Sequence, residues 1–100
     1  MSPIKKDSSR RRMTVLYQGN VQGVGFRYTA KTVAAGFEVV GRIRNLPDGR
    51  VELIAEGLTE ELNAYRSALR DAGLAGFIKG EHVQWDDAQN QFCNFEIART

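Results

Sequence analysis

Apolar and polar residues alternate along three stretches in the first half of the chain, as in strands that bury one face. The first runs from Met13 to Gln18 and stops at Gly19. The second and third run over residues 37–46 and 50–56. A Pro-Asp-Gly sequence at residues 47–49 separates them and favours a tight turn. These two stretches are therefore predicted to form a hairpin.

Two other stretches carry apolar residues at the spacing of a helix that packs along one side. The first helix is predicted to begin at about Val24 and to stop at Gly36. The second is predicted to have Thr59 as its capping residue and to end at Gly73. Their apolar stripes are, in chain order, Phe26, Ala30, Val33, Ala34 and Phe37, and then Leu62, Tyr65, Leu69 and Ala72.

The end of the chain is predicted to supply one strand region or two. The candidates are His82–Trp85 and Phe92–Ala98, which follow a connection at residues 74–81 and flank a polar stretch at 86–91. The resulting order is β-α-β-β-α-β. That order predicts an α+β, ferredoxin-like sandwich with an antiparallel sheet of four to five strands and two helices on one face.

Charge is distributed unevenly along the 100 residues, a length that indicates one domain. The net charge is +2, yet residues 1–12 hold five basic residues and one acidic residue. We interpret residues 1–11 as a flexible basic tail and residues 12–100 as the globular domain. A basic tail favours contact with nucleic acid or anionic lipid, but the rest of the chain has no basic excess. No nucleic-acid partner is therefore expected for the globular domain.

The composition also bears on compartment and cofactors. No stretch is apolar enough to span a membrane, and no secretory signal is recognisable, so no membrane partner is expected. Cys93 is the single cysteine, which excludes an internal disulfide and suits a reducing compartment. We expect a cytoplasmic monomer without metal or cofactor. His82 is interpreted as structural or exposed, Cys93 as a small packing residue, and the Asp86-Asp87 pair as solvated turn residues.

The loop between the first strand and the first helix is rich in glycine, with Gly19, Gly23 and Gly25. Glycine lets the backbone approach a ligand closely, and successive N–H groups at a helix start can surround an anion. Arg27 follows in the first helical turn, where its planar fork can hold two phosphate oxygens. From the glycine spacing alone, a tight turn is as good an explanation as a phosphate loop. The sequence Phe26-Arg27 does not match the end of a P-loop.

Asn45 is the second candidate for chemistry, because it lies where the second strand enters its turn. Taken alone, an asparagine before a Pro-Asp-Gly turn is more typical of an Asx-turn than of a catalytic site.

Taken together, the two segments resemble the acylphosphatase family. Residues 19–27 match that family's signature, Gly-x-Val-Gln-Gly-Val-x-Phe/Tyr-Arg, at every specified position. The second family motif matches through residues Gly41, Asn45, Gly49, Val51 and Gly57. The ending Phe95-x-Ile97-x-Arg99 resembles the family's last strand, so the resemblance covers residues 13–100. Arg42 departs from the family pattern, which has an aromatic residue there, and Ile43 replaces a smaller residue.

The resemblance implies an enzyme that hydrolyses acyl phosphates to a carboxylate and inorganic phosphate. It implies that the loop and Arg27 hold the phosphate and that Asn45 orients the attacking water. The phosphate-binding residues implied are Asn20, Val21, Gln22, Gly23, Val24, Gly25, Phe26 and Arg27. A carboxylate leaving group, with a pKa near ~4, needs no general acid, which agrees with the lack of an obvious one. Because the loop offers little to grip the acyl group, broad substrate tolerance is expected.

Two alternatives remain open at this point. One is a non-catalytic phosphate- or ligand-binding module on the same scaffold, against which the presence of both Arg27 and Asn45 counts. The other is an RNA-binding protein, because RNA-recognition motifs share the topology. Those proteins display aromatic residues on their central strands, and here Tyr17 is the only one on strands one and three.

Overall fold

The computed structural model describes residues 10–98, which form five strands and two helices. In chain order the elements are β1 (Arg10–Gly19), α1 (Phe26–Ala34), β2 (Val39–Asn45), β3 (Val51–Leu58), α2 (Thr59–Leu69), β4 (Ile78–Asp87) and β5 (Phe95–Ile97). This confirms the predicted β-α-β-β-α-β order and resolves the final region into two strands.

The five strands form one mixed sheet in the order β4-β1-β3-β2-β5. β1 pairs antiparallel with β3 and β4, and β2 pairs antiparallel with β3. β5 pairs parallel to β2, with Ile97 beside Ile43, so the prediction of an antiparallel sheet is wrong at this strand. β4 and β2 run in opposite directions, so β4 finishes at the same end of the sheet at which β2 starts. Because β5 also starts from that end and lies beside β2, β5 runs parallel to β2.

The core lies between one face of the sheet and the two helices. Burial alternates along β1 and β2, which confirms the alternation read from the sequence there, whereas β3 is buried on both of its faces. The largest fully buried side chains of this core include Met13, Val15, Tyr17, Phe26, Ile43, Leu53, Leu62, Tyr65 and Leu69. The hydroxyl of Tyr65 donates to the main-chain carbonyl of Ala30 across 2.8 Å and so ties α2 to α1.

Both helices begin at places that differ from the prediction. α1 begins at Phe26 and not at Val24, because Gly25 has a left-handed φ of +79° that a helix cannot contain. α2 begins with Thr59 as a helical residue, since extended Leu58 precedes it and no side chain caps the helix. The predicted capping role of Thr59 is therefore wrong.

The chain between α2 and β4 is as long as predicted but lies earlier in the sequence, at residues 70–77 instead of 74–81. It consists of a π-helical turn at Arg70–Leu74 and a 3₁₀ turn at Ala75–Phe77. Gly73, with a φ of +98°, ends the helical run as expected, but Ala72 is exposed and Leu74 is buried instead. β4 begins at Ile78 rather than at His82, because the ladder with β1 continues as far as Gly19.

β1 begins earlier than expected. Arg10 and Arg11, assigned to the tail, pair with Leu58 and Gly57 of β3, and Arg11 also pairs with Asp87 of β4. Strands on both sides satisfy this backbone, which extends the strand to Arg10. The remaining residues of the predicted tail, 1–9, and the last two residues of the chain lie outside the described residues.

The hairpin between β2 and β3 closes as its sequence predicts. Gly49 has a φ of +95° and its N–H donates to the carbonyl of Leu46 across 3.1 Å. The N–H of Leu46 donates to the carbonyl of Arg50 across 2.8 Å. These two hydrogen bonds close the turn directly after Asn45, the last residue of β2.

The segment at residues 88–94 crosses the sheet on the face opposite the helices, where a buried carboxylate fastens it. Glu56 is 0% exposed and accepts hydrogen bonds from the Nε of Arg12 at 2.8 Å and from the N–H groups of Gln89 at 2.8 Å and Asn90 at 3.0 Å. Burial alone raises the pKa of Glu56, but these hydrogen bonds outweigh it and hold the pKa below its ordinary value. The carboxylate therefore stays ionised.

Candidate active site

The loop from Asn20 to Gly25 is pinned at both ends. Val21 is fully buried, and Phe26 packs against Tyr17 with 4.9 Å between the ring centroids. Between these anchors Gly23 and Gly25 have φ values of +80° and +79°. A side chain at either glycine would meet no atom within 4 Å, so the backbone conformation, and not lack of space, accounts for glycine here.

The N–H groups of this loop are left free by the fold. From Val21 to Tyr28, no main-chain N–H donates to another main-chain group of residues 10–98. The first donor used within α1 is that of Thr29, which reaches the carbonyl of Gly25 across 2.9 Å. Free N–H groups at the start of a helix suit an anion. Asn20 is different, because its N–H donates to the carbonyl of Phe77 across 3.0 Å.

Gln22 lies in the same loop, but its side chain points to the neighbouring hairpin. Its Nε2 donates to the carbonyls of Leu46 at 2.8 Å and Arg50 at 2.9 Å. The sequence placed Gln22 among the phosphate-binding residues. The structure leaves its N–H available and commits its side chain to holding the loop against the turn after Asn45.

A cleft of about 160 Å³ brings the two motif segments together. Its lining residues are Val21, Gly23, Gly25, Phe26, Arg27, Tyr28, Asn45 and Ile97. α1 supplies Arg27 and the end of β2 supplies Asn45, so residues 18 positions apart in sequence line one cleft. Tyr28 and Ile97 were not among the predicted site residues. The only sequence signals for them were the position of Tyr28 next to Arg27 and that of Ile97 in the last-strand motif.

Arg27 brings the only charge to this cleft. It is half-buried in the first turn of α1, and its guanidinium forms no ion pair with any residue between Arg10 and Ala98. A partly desolvated guanidinium with no carboxylate partner is suited to an anionic ligand.

Asn45 brings an unpaired acceptor. Its Oδ1 is buried and has no hydrogen-bond partner among the described residues. Leaving such an acceptor unpaired costs about 1–3 kcal/mol, a cost that functional sites often retain. The Asx-turn that Asn45 alone suggested is made by Asp48, whose Oδ1 accepts the N–H of Arg50 across 3.0 Å. The side-chain oxygen of Asn45 is therefore free to accept a hydrogen bond from a water or a ligand.

A larger open depression of about 490 Å³ lies on another part of the surface, between Gln18, Arg50 and His82. Its charges are already neutralised within the chain. Arg50 pairs with Asp48, and Glu81, which also lines it, pairs with Arg66 and Arg70. We therefore place the chemistry in the smaller cleft, where a charge and an acceptor are unpaired.

The remaining candidates lie apart from the cleft. His82 is exposed on β4, and Asp86 and Asp87 are the exposed last residues of that strand rather than turn residues. Cys93 is exposed, so its predicted packing role is wrong. Within residues 10–98 no three His, Cys, Asp or Glu side chains are grouped as a metal site would need. The same part of the chain contains no helix long and apolar enough to cross a membrane.

Fold and cleft together define a class of protein: a ferredoxin-like α+β sandwich whose strand-to-helix loop presents free N–H groups and an arginine beside the end of a neighbouring strand. The acylphosphatase family model matches residues 13–97. The chain belongs to the acylphosphatase family.

Relatives and a solved structure agree with this assignment. The chain is 39% identical over 90 residues to the acylphosphatase of Acidothermus cellulolyticus, covering 87% of this chain and 86% of that protein. It is 37% identical over 89 residues to the acylphosphatase of Methylococcus capsulatus, covering 89% and 97% of the two chains. The crystal structure of acylphosphatase from Bacillus subtilis superposes with a TM-score of 0.80 at 28% identity, over 88% of this chain and 98% of that one.

Proposed function

We propose a division of labour within the hydrolysis of acyl phosphates, the reaction of the family to which this chain belongs. The loop of residues 20–26 and Arg27 hold the phosphoryl group, and Asn45 orients the attacking water. One observation carries this proposal. The unpaired guanidinium of Arg27 and the unpaired Oδ1 of Asn45 line the same small cleft.

The phosphoryl group carries the charge that this site must stabilise. The free N–H groups from Val21 to Gly25 and the Arg27 guanidinium are donors fixed before the substrate arrives. Preorganised donors of this kind lower the barrier to phosphoryl transfer because they need no reorganisation as charge develops. The N–H of Asn20 already donates to the carbonyl of Phe77, which leaves only the side chain of Asn20 for the phosphoryl group.

The attacking water needs an acceptor to orient it. The Oδ1 of Asn45 accepts a hydrogen bond from one O–H of the water, which directs the water's lone pair towards phosphorus. An amide is not a base at neutral pH, so the water's other proton passes to a phosphoryl oxygen of the substrate. The new P–O bond forms to water, and the bond between phosphorus and the acyl oxygen breaks. The carboxylate leaves as an anion and needs no proton, because its pKa is near ~4.

The alternatives are less well supported. A non-catalytic phosphate-binding module would have no use for the unpaired acceptor of Asn45. An RNA-binding platform would need aromatic rings on the open face of the sheet, whereas Tyr17 points into the core and packs against Phe26.

We propose that catalysis is independent of metal, because Arg27 and the loop already supply positive charge to the phosphoryl group. We propose a monomer, since a single chain provides every residue that lines the cleft. We also propose that the globular domain contacts no nucleic acid, because it has no basic excess. A cytoplasmic location fits the single cysteine, Cys93.

The test is an acetyl phosphate hydrolysis assay on the wild type, Arg27→Ala and the control Lys31→Ala. Lys31 is an exposed cation one turn further along α1 and does not line the cleft. Loss of Arg27 is expected to lower kcat/KM at least about 100-fold, with little change in the control. Turnover is expected to be unchanged by a chelator. Full activity in Arg27→Ala would contradict the proposal.

A further inference from the structure

The described part of the chain exposes two large hydrophobic side chains near the cleft: Tyr28 lines it, and Val24 lies in the loop between the lining residues Gly23 and Gly25. Val24 is 36% exposed and Tyr28 is 71% exposed. Single exposed apolar residues are common and need no explanation. Here, however, two fall within five residues, on either side of the left-handed Gly25 and the buried Phe26.

The fold makes little use of the Tyr28 side chain. Its ring takes no part in the aromatic contacts of residues 10–98, and its hydroxyl forms no hydrogen bond there. Tyr65 and Tyr17, by contrast, are buried in the core. A large ring that is mostly exposed, and that lines the cleft beside Arg27, is available to a ligand.

The charge of the cleft restricts what the rest of the ligand can be. Arg27 is the only charged lining residue, and the phosphoryl group engages it. No second cation remains for an anionic acyl group, and no carboxylate for a cationic one. Ile97, half-buried on β5, adds another apolar lining residue. The acyl group is attached directly to a phosphoryl oxygen, so it must lie at this apolar mouth while the phosphoryl group occupies the loop.

We propose that Tyr28, together with Ile97, forms the surface that contacts the acyl group, and that the enzyme favours acyl phosphates whose acyl part is aromatic or a long alkyl chain. This inference rests on the proposed function. It adds a preference to the broad tolerance expected from the sequence. Tyr28 acts on specificity and not on the phosphoryl transfer itself.

The experiment compares kcat/KM for benzoyl phosphate and acetyl phosphate in the wild type, Tyr28→Ala, Tyr28→Phe and Thr32→Ala. Thr32 lies one turn further along α1, is exposed and does not line the cleft, so its substitution is the matched control. Contact with part of one ring face favours benzoyl phosphate by roughly five- to tenfold. Tyr28→Ala is expected to lose that preference, because its kcat/KM for benzoyl phosphate falls several-fold more than its kcat/KM for acetyl phosphate. Tyr28→Phe and the control are expected to keep the preference.

Inhibition by inorganic phosphate reports on the loop alone and is expected to be the same in all four proteins. An equal loss on both substrates in Tyr28→Ala, or a preference that survives it, would overturn the inference. A Tyr28→Phe variant as poor as Tyr28→Ala would overturn it too, because the hydroxyl and not the apolar ring would then be responsible. A wild type that hydrolyses neither substrate would contradict the proposed function itself, and this result is distinct from the outcomes that concern only Tyr28.

Discussion

The side-chain amide of Gln22 donates to the main-chain carbonyl of Leu46 across 2.8 Å and joins the loop to the turn that follows Asn45. A second bond from the same nitrogen reaches the carbonyl of Arg50 at 2.9 Å. The two halves of the cleft therefore do not depend on core packing alone for their relative position. One amide side chain ties the segment that supplies Arg27 to the segment that supplies Asn45.

Replacing Gln22 with alanine is therefore expected to weaken both the fold and the site. Each of the two carbonyls loses one of its two donors, and the loss of these two hydrogen bonds is expected to lower the free energy of unfolding by about 1–3 kcal/mol, as measured by urea denaturation. Because the loop and Asn45 are then held less firmly in their relative positions, inorganic phosphate is expected to inhibit less strongly and kcat is expected to fall.

The control for this prediction is Gln18→Ala, since Gln18 is an exposed glutamine on β1 outside the cleft. Its loss is expected to leave stability and turnover nearly unchanged. A Gln22→Ala protein as stable and as active as the wild type would show that the bridge is unimportant.

Asn45→Ala is expected to separate turnover from binding. Loss of the acceptor removes the orientation of water, which is expected to lower kcat about 100-fold. Arg27 and the loop remain, so the inhibition constant of inorganic phosphate is expected to change less than about threefold. The free energy of unfolding is expected to hold or rise, because the buried Oδ1 has no partner within the described chain to lose. Equal losses of turnover and phosphate affinity would make Asn45 a binding residue only.

The parts of the fold that follow from neighbouring residues were predictable. Alternation placed β1 and β2 because inward and outward side chains differ in polarity over a few residues. The hairpin followed from local turn chemistry that the structure realises at Gly49 and Asp48. The same reasoning could not place Thr59 correctly, because a threonine before two acids is compatible with either a cap or the first helical position.

The parts that depend on distant contacts were not predictable. The direction of β5 follows from the crossing segment, and that segment is fastened by Glu56 through bonds to Arg12, Gln89 and Asn90, which are 33 to 44 residues away in sequence. In the candidate site, the motif identified Arg27 and Asn45. It did not show that the Gln22 side chain turns away from the cleft or that Ile97 enters it.

Arg42, where the family has an aromatic residue, is predicted to be replaceable. Its guanidinium lies 5.9 Å from the centroid of the Phe92 ring, on the face of the sheet away from the helices, and its buried Nε has no partner among the described residues. Arg42→Tyr would keep a planar group against Phe92 and remove the unpaired donor. The free energy of unfolding is expected to stay the same or rise by up to about 1 kcal/mol, with acyl phosphate turnover unchanged. A fall of both would assign Arg42 a role beyond packing.

The ion pair between Glu56 and Arg12 is expected to make stability depend on pH. In the folded chain the pKa of Glu56 lies below its ordinary value of 4.5, so the unfolded chain binds the proton more readily. The contribution of this carboxylate is therefore complete above about pH 5 and is lost as the pH falls through the folded-state pKa. Substitution by glutamine leaves Arg12 partly buried without its counter-charge and is expected to cost about 3 kcal/mol at neutral pH.

Urea denaturation from about pH 7 to about pH 3 tests this prediction. The difference in free energy of unfolding between the wild type and Glu56→Gln is expected to be constant at neutral pH and to shrink below about pH 4.5. Asp48→Asn is the matched control. The hydrogen bond from Arg50 also lowers the pKa of Asp48, but that carboxylate is exposed, so its pair with Arg50 contributes little. A difference that stays constant throughout the acid range would show that the ionised carboxylate of Glu56 does not stabilise the crossing segment.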